Sequence, residues 1–250
     1  MVKGANWPPL ASPWALRRAY QLMRSHFGHL HWWPGETPFE VCVGAILTQN
    51  TAWSNVERAI ANLRAAGVLE PEKLYALSES RLAALIRPAG YFNVKARRLR
   101  EFLGVLVEEF GGDLGRLFAG ETAAVRERLL AICGIGPETA DSMLLYAGGH
   151  HRFVIDAYTK RIFHRHGWSG DDAGYEELQR LCESALNQKA RRARLDYWQD
   201  YHAQLVITGK DFCRNRQPRC AECPLKPLLP KNSSLSSVSA SPIYPRASNT

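Results

Sequence analysis

A chain of 250 residues with 46% hydrophobic and 22% charged content has apolar material for one large or two small folded domains, which excludes a low-complexity or fibrous protein. Its formal net charge of +8 and pI near 9.3 point to a polyanionic partner. No apolar run approaches the ~20 residues that span a bilayer. The N-terminal MVKGANWPPLASPW also lacks the apolar core of a secretory signal, so a cytoplasmic protein is expected, associated with the nucleoid if prokaryotic.

In chain order, apolar residues recur every three or four positions, the period of a helix with one buried face. The pattern predicts helices in ALRRAYQLMRSHF (15–27), FEVCVGAILTQ (39–49), AWSNVERAIANLRAAG (52–67), LYALSESRLAALI (74–86) and NVKARRLREFLGVLVEEFGG (93–112). It returns in AAVRERLLAI (123–132), TADSMLLYAGG (139–149), AYTKRIFHRHG (157–167) and YEELQRLCESAL (175–186). Glycine closes several of these segments, as helix C-termini prefer. Alternating strand patterns are nearly absent, and the chain is predicted to be all-α. From Lys231 onward KNSSLSSVSASPIYPRASNT is rich in serine and proline, cannot bury a core, and is expected to be a disordered tail.

Two short stretches fit no packing pattern. In RERLLAICGIGPETADSMLL, one helix runs into Gly134-Ile135-Gly136 and another starts after Pro137. Glycines permit close backbone approach, Ile135 can plug back between the helices, and Pro137 suits a first helical turn. The N–H groups at that helix start, with its dipole, would receive an anion such as a DNA phosphate. The same glycines would equally serve a hairpin that only turns the chain. Asp156 lies between FVI and AYTKRIF, where it reads locally as an N-cap. Among the six cysteines, Cys42, Cys133 and Cys182 fall in helical patterns and are expected to be buried, inert thiols. Cys213, Cys220 and Cys223 cluster in CRNRQPRCAEC.

Taken in order, GAILTQNTAWSNVERAIANL, AGYFNVKARRLREF, the hairpin followed by Asp156, and CRNRQPRCAEC resemble the helix-hairpin-helix (HhH-GPD) DNA glycosylase superfamily of endonuclease III type, over about residues 30 to 225. The resemblance implies a two-lobed, all-α fold with a C-terminal cysteine loop. Residues 1–40 would pack with the C-terminal lobe, 41–150 would form a helical barrel with the hairpin motif at 124–148, and 151–229 a second lobe. Residues 230–250 would be the tail. The active cleft would lie between the lobes.

By the same resemblance Asp156 is the catalytic aspartate. Breaking an N-glycosidic bond builds positive charge on the deoxyribose, which a fixed carboxylate stabilises while orienting or deprotonating water. Gly134, Ile135 and Gly136 would hold double-stranded DNA, Gln49 would fill the gap left by an extruded base, and Tyr91 would act as a wedge. Asn50 carries no assignment. Bifunctional members carry a lysine in the slot before Thr139-Ala140, and here Glu138 stands there. A carboxylate forms no imine, so the lyase step is expected to be missing. Lys160, one turn beyond Asp156, has no feature that makes it the nucleophile.

HLHWWPGETPFE together with LTQNTAW is similar to the endonuclease III-like 3-methyladenine glycosylases, which makes Trp32, Trp33, Pro34 and Trp53 base-pocket candidates. Electron-rich rings favour a cationic N-alkylated purine. Cys213, Cys220 and Cys223 match three ligands of a [4Fe–4S] pattern whose fourth position is Leu229. A cluster with an outside ligand, a three-iron form, zinc with a borrowed ligand, or an empty loop all fit that pattern. The expected activity is a monofunctional, monomeric DNA glycosylase on alkylated purines. The rivals are an oxidised-pyrimidine glycosylase with lyase activity, an adenine-mismatch enzyme (for which the polar tail offers no recognition domain), and a non-catalytic hairpin module that only binds DNA.

Overall fold

A computed structural model of the chain describes residues 12–32, 35–170 and 172–230. Trp33, Pro34 and the predicted tail beyond Pro230 lie outside them. All regular structure among the described residues is helical. The first helices are α1 (Pro13–Phe27), α2 (Pro38–Leu47), α3 (Trp53–Ala65), α4 (Pro71–Tyr75), α5 (Glu79–Leu85) and α6 (Phe92–Gly104). They are followed by α7 (Leu114–Leu117), α8 (Thr122–Leu130), α9 (Pro137–Tyr146), α10 (Ala157–Arg165), α11 (Tyr175–Ala185) and α12 (Arg191–Asp211).

Helix starts follow local chemistry. Pro13, Pro38, Pro71 and Pro137 occupy first-turn positions, where the missing N–H costs nothing. Ser12, Thr37, Ser78, Asp113 and Asp156 cap helices through side-chain oxygens. Ser78 corrects one expectation: its hydroxyl accepts from Arg81 N at 3.3 Å and starts α5, so 74–86 is two helices.

The chain divides into two compact units. One comprises 31–154 and 189–200. Its core is built around α2, whose Cys42, Val43, Ile46 and Leu47 are fully buried. This helix packs against α3, α6 and α9, which explains why it is apolar on nearly every face. The other unit holds the described parts of 1–30, 155–188 and 201–250. There α1 buries Leu16, Ala19 and Met23 and packs on α11, which buries Leu178, Cys182 and Ala185. Arg17 closes the end of α11 by donating to Ala185 O at 3.1 Å.

The longest helix, α12, is one that periodicity does not reveal. Tyr197, Trp198, Tyr201 and Leu205 are buried, but so are Gln199, Asp200, His202, Gln204 and Thr208, so no polar stripe marks an outer face. Buried amides persist because they find backbone partners. Gln199 donates to Leu145 O at 2.8 Å in the first unit, and Gln204 donates to Gly28 O at 2.7 Å in the second. A second correction concerns Cys133. Cys42 and Cys182 are buried, but Cys133 is exposed, because it falls in the turn after α8 rather than on a packed helix face.

Candidate active site

The hairpin joins α8 to α9, and its two glycines have different duties. Gly134 has φ +87°, and a Cβ there would lie 2.3 Å from Arg98 Cγ, so conformation and packing both demand glycine. Gly136 is extended, with φ −95°, and a Cβ there would meet nothing within 4 Å. Its Cα therefore faces open space at the start of α9. Ile135 is buried in the core, so only its main chain is offered outward. Glycine at the N-cap of α9 supplies no side-chain oxygen to the helix start. Glu138 is exposed in the first turn of α9.

Gln49 lies in the turn after α2 and reaches the hairpin. Its Nε2 donates to Gly134 O at 3.1 Å and to Thr139 Oγ1 at 3.0 Å, while Arg98 Nη1 donates to its Oε1. In this conformation Gln49 braces the hairpin. Insertion into a duplex would give up all three bonds, each worth about 0.5–1.5 kcal/mol net and more for the charged one. Tyr91 is 73% exposed and adopts a left-handed backbone, φ 46°, at the N-cap of α6. Asn50 is also left-handed, φ 56°, and the two border one depression with Gln49, Lys95 and Arg98. A side chain in that region costs on the order of 1–3 kcal/mol, so neighbouring structure holds both turns in place. Lys95 is part of that support: its buried Nζ donates to Leu47 O and Ala89 O, both at 2.8 Å. Burial, then repulsion from Arg98, brings its pKa down to about 8.

Two features of this unit escape sequence reasoning. Asp141, fully buried on α9, takes a forked pair of bonds from Arg126 at 2.8 and 3.2 Å, with Arg152 at 3.7 Å. The i+15 spacing of that pair has no local signature. Secondly, Trp32 lies edge-on to Trp53 (centroids 6.4 Å) and to Tyr146 (5.7 Å), so Tyr146 completes an aromatic group of which only the tryptophans were predicted. Tyr146 reads as a core residue in sequence, and it is 7% exposed, its hydroxyl donating to Gln199 O at 3.2 Å.

In the other unit Asp156 is the N-cap of α10. Its Oδ1 accepts from Thr159 N at 2.7 Å, and His202 Nε2 stands 3.7 Å from its Oδ2. Only 9% of Asp156 is exposed. Burial pushes its pKa up, but the neighbouring His202 and the Thr159 N–H together hold it below the usual carboxylate value. The group is thus a fixed anion at neutral pH, suited to stabilising positive charge or holding a water. His202 comes from α12, and sequence offers no signal linking it to Asp156. Lys160 lies over the ring of Tyr175 at 5.9 Å.

Cys213, Cys220 and Cys223 line one cavity, and Leu229 lines it too. Arg165 Nη1 lies 3.4 Å from Cys213 Sγ and also donates to Arg214 O, while its Nη2 donates to Asn215 O, so the guanidinium braces the loop as it approaches the sulfur. Burial, followed by Cys213, raises the pKa of Cys220, and burial pushes Cys223 up to about 11. Both thiols are therefore protonated at neutral pH. No three His, Cys, Asp or Glu side chains among the described residues converge tightly enough for a single ion. An iron–sulfur cluster spreads its thiolates over separate irons, and three soft donors around one cavity suit it.

The family model for HhH-GPD superfamily base excision DNA repair proteins matches residues 43–188. A protein of Methanocaldococcus jannaschii, whose name assigns it provisionally to the DNA repair glycosylases, is 44% identical over 211 residues, covering 84% of this chain and 93% of the relative. Endonuclease III of Thermotoga maritima is 28% identical over 189 residues, covering 76% and 81%. Among solved structures, H. pylori 3-methyladenine DNA glycosylase bound to 1,N6-ethenoadenine aligns with a TM-score of 0.69 at 28% identity, over 80% of this chain and 98% of that one. A non-covalent endonuclease III–DNA complex aligns at 0.73 with 21% identity, over 88% and 96%, and shares the fold.

Proposed function

Since the chain belongs to the HhH-GPD superfamily and is a DNA glycosylase of base excision repair, we propose that it is a monofunctional enzyme that hydrolyses the glycosidic bond of N-alkylated purines such as 3-methyladenine. The aromatic group of Trp32, Trp53 and Tyr146 carries this reading. A purine alkylated on nitrogen is cationic, and aromatic faces attract it by about 0.5–2 kcal/mol more than its neutral parent. It is also a good leaving group, which fits a site whose carboxylate is ionised. The similarity to the H. pylori 3-methyladenine enzyme supports the same choice.

Asp156, already anionic, stabilises the sugar cation and orients the attacking water. Gly136 and the start of α9 receive a phosphate through the main chain. Tyr91, exposed on its strained turn, meets the duplex beside the displaced base, and Gln49 follows once released from the hairpin. Glu138 stands where lyase members carry lysine, so water takes the amine's place and an abasic site remains. Cys213, Cys220 and Cys223 hold a [4Fe–4S] cluster, which when bound staples the basic CRNRQPRC loop into one conformation. The protein acts as a monomer on double-stranded DNA. No helix among the described residues is long and apolar enough to cross a membrane.

The deciding experiment incubates the protein with two duplexes, one containing 3-methyladenine and one thymine glycol, scoring free base and strand nicks before and after alkali. Release of 3-methyladenine with nicks only after alkali is the expected result. Thymine glycol release with direct nicking overturns both the substrate and the monofunctional assignment.

A further inference from the structure

A four-iron cluster in the cysteine cavity needs a fourth ligand, and Leu229 stands where the spacing asks for it. We propose that His166, through Nε2, is that ligand. The inference rests on the reading that this cavity holds an iron–sulfur cluster.

His166 ends α10, is 7% exposed, and lines the same cavity as Cys213, Cys220, Cys223 and Leu229. Its Nδ1 lies 3.2 Å from Leu228 O. A carbonyl oxygen only accepts, so Nδ1 carries the proton, and in the neutral ring Nε2 keeps its lone pair. An imidazole whose second nitrogen donates to a backbone carbonyl is the usual arrangement of a metal-bound histidine. The acceptor is the residue next to Leu229, so the segment that lacks the thiol is itself what fixes the imidazole. Trp168 packs on the ring at 4.7 Å and 33° and sets its plane.

The other polar groups lining the cavity do not compete. Arg165 and Lys226 are cations, and the Thr208 hydroxyl is a poor ligand for a soft metal. Thr208 adds independent support of a different kind. It is fully buried, and its Oγ1 has no hydrogen-bond partner among the described residues. Inorganic sulfide in the cavity would give that hydroxyl an acceptor. Arg165, 3.4 Å from Cys213 Sγ, places a cation beside that sulfur. Three thiolates and a neutral imidazole carry one negative charge fewer than four thiolates. The reduction potential therefore lies above that of an all-cysteine version, in the direction seen when histidine replaces cysteine in two-iron centres.

The test uses the full chain purified without oxygen. Iron and acid-labile sulfide are counted, and the reduced protein is examined by pulsed electron paramagnetic resonance. About four irons per chain and a nitrogen coupling from a bound imidazole are expected. His166→Cys should keep the iron, lose the coupling and lower the potential. His166→Ala should lose one iron in air and show the signal of a three-iron cluster. Iron-free wild-type protein overturns the cluster reading and the ligand with it. Four irons with no nitrogen coupling overturns His166 alone, and this wild-type measurement decides even if a variant fails to fold.

Discussion

The hairpin between α8 and α9 and the cysteine loop after α12 both rest on a short sequence pattern, but they present different parts of the chain to a ligand. The hairpin offers main chain. Its essential residues matter through what they lack: Gly134 makes room for Arg98, and Gly136 leaves the helix start uncovered. The loop offers side chains, so one residue, leucine at 229, leaves the four-cysteine pattern it resembles one thiol short. A backbone site survives wide substitution around it. A side-chain site that loses a member must recruit another from wherever the fold brings one near, and here His166 is 63 positions upstream of Leu229.

In the proposed mechanism neither region carries the chemistry, which makes Asp156 the first place to cut. Asp156→Asn keeps the size of the N-cap but removes the charge. Excision under single-turnover conditions should fall about 10²–10⁴-fold, while affinity for an abasic-site duplex persists. Wild-type turnover in the variant would return catalysis to one of the two motifs. The pH behaviour has a definite sign. A carboxyl whose folded pKa is depressed contributes stability that is fully present above its unfolded value of about 3.9 and is lost as pH falls through the lower folded value. The urea midpoint of the wild type should drop over that acid window, and in Asp156→Asn this part of the drop should vanish.

The hairpin's glycines test the main-chain half of the comparison. Gly134→Ala forces a Cβ against Arg98 and onto a positive φ, and should cost about 1–3 kcal/mol of stability. Gly136→Ala meets open space on an extended backbone and should change stability by no more than about 0.5 kcal/mol. It should still weaken DNA binding, because the new methyl occupies the approach to the α9 N–H groups. Urea denaturation and fluorescence anisotropy on both variants separate the two duties. Equal effects on folding and on binding would mean the glycines only turn the chain.

The aromatic group makes a smaller and more selective demand. Trp53→Ala should slow release of 3-methyladenine by the factor that about 0.5–2 kcal/mol allows, and should slow release of a neutral base less. A uniform slowing of both would mark Trp53 as a packing residue of the core it adjoins.

How far these groups could be read in advance follows from their physics. Helices with one buried face, such as α1 and α11, announce themselves by period. The hairpin glycines and Asp156 are visible because turn and cap chemistry is local. Helix α12 is not, because its buried Gln199 and Gln204 bond to distant carbonyls and erase the stripe. His202 beside Asp156 and Tyr146 beside Trp32 are invisible for the same reason: each pairing exists only after the chain has closed on itself. Cys133 shows the opposite error, a helical pattern read one turn too far. Gln49 was legible, by resemblance, as the residue that fills the gap left by an extruded base, but its bonds to Gly134 and Thr139 were not.

The smallest expected effect sharpens the comparison most, because it asks a main-chain motif to accept a side-chain function. Glu138 is exposed in the first turn of α9, so Glu138→Lys introduces an amine without burying it. The exchange removes an acid from a helix start and should cost only about 0.3–1 kcal/mol. If the slot alone confers lyase chemistry, the new amine displaces the base at the sugar carbon. Ring opening then gives an imine that borohydride reduces to a covalent protein–DNA complex. A trace of trapped complex in the variant and none in the wild type is the expected result, because lysine needs its pKa lowered to act and an exposed helix start does this only weakly. Trapping by the wild-type protein would mean another amine already performs the step, with Lys160, one turn from Asp156, the first to replace. In that case Glu138 would be a helix-start acid and nothing more.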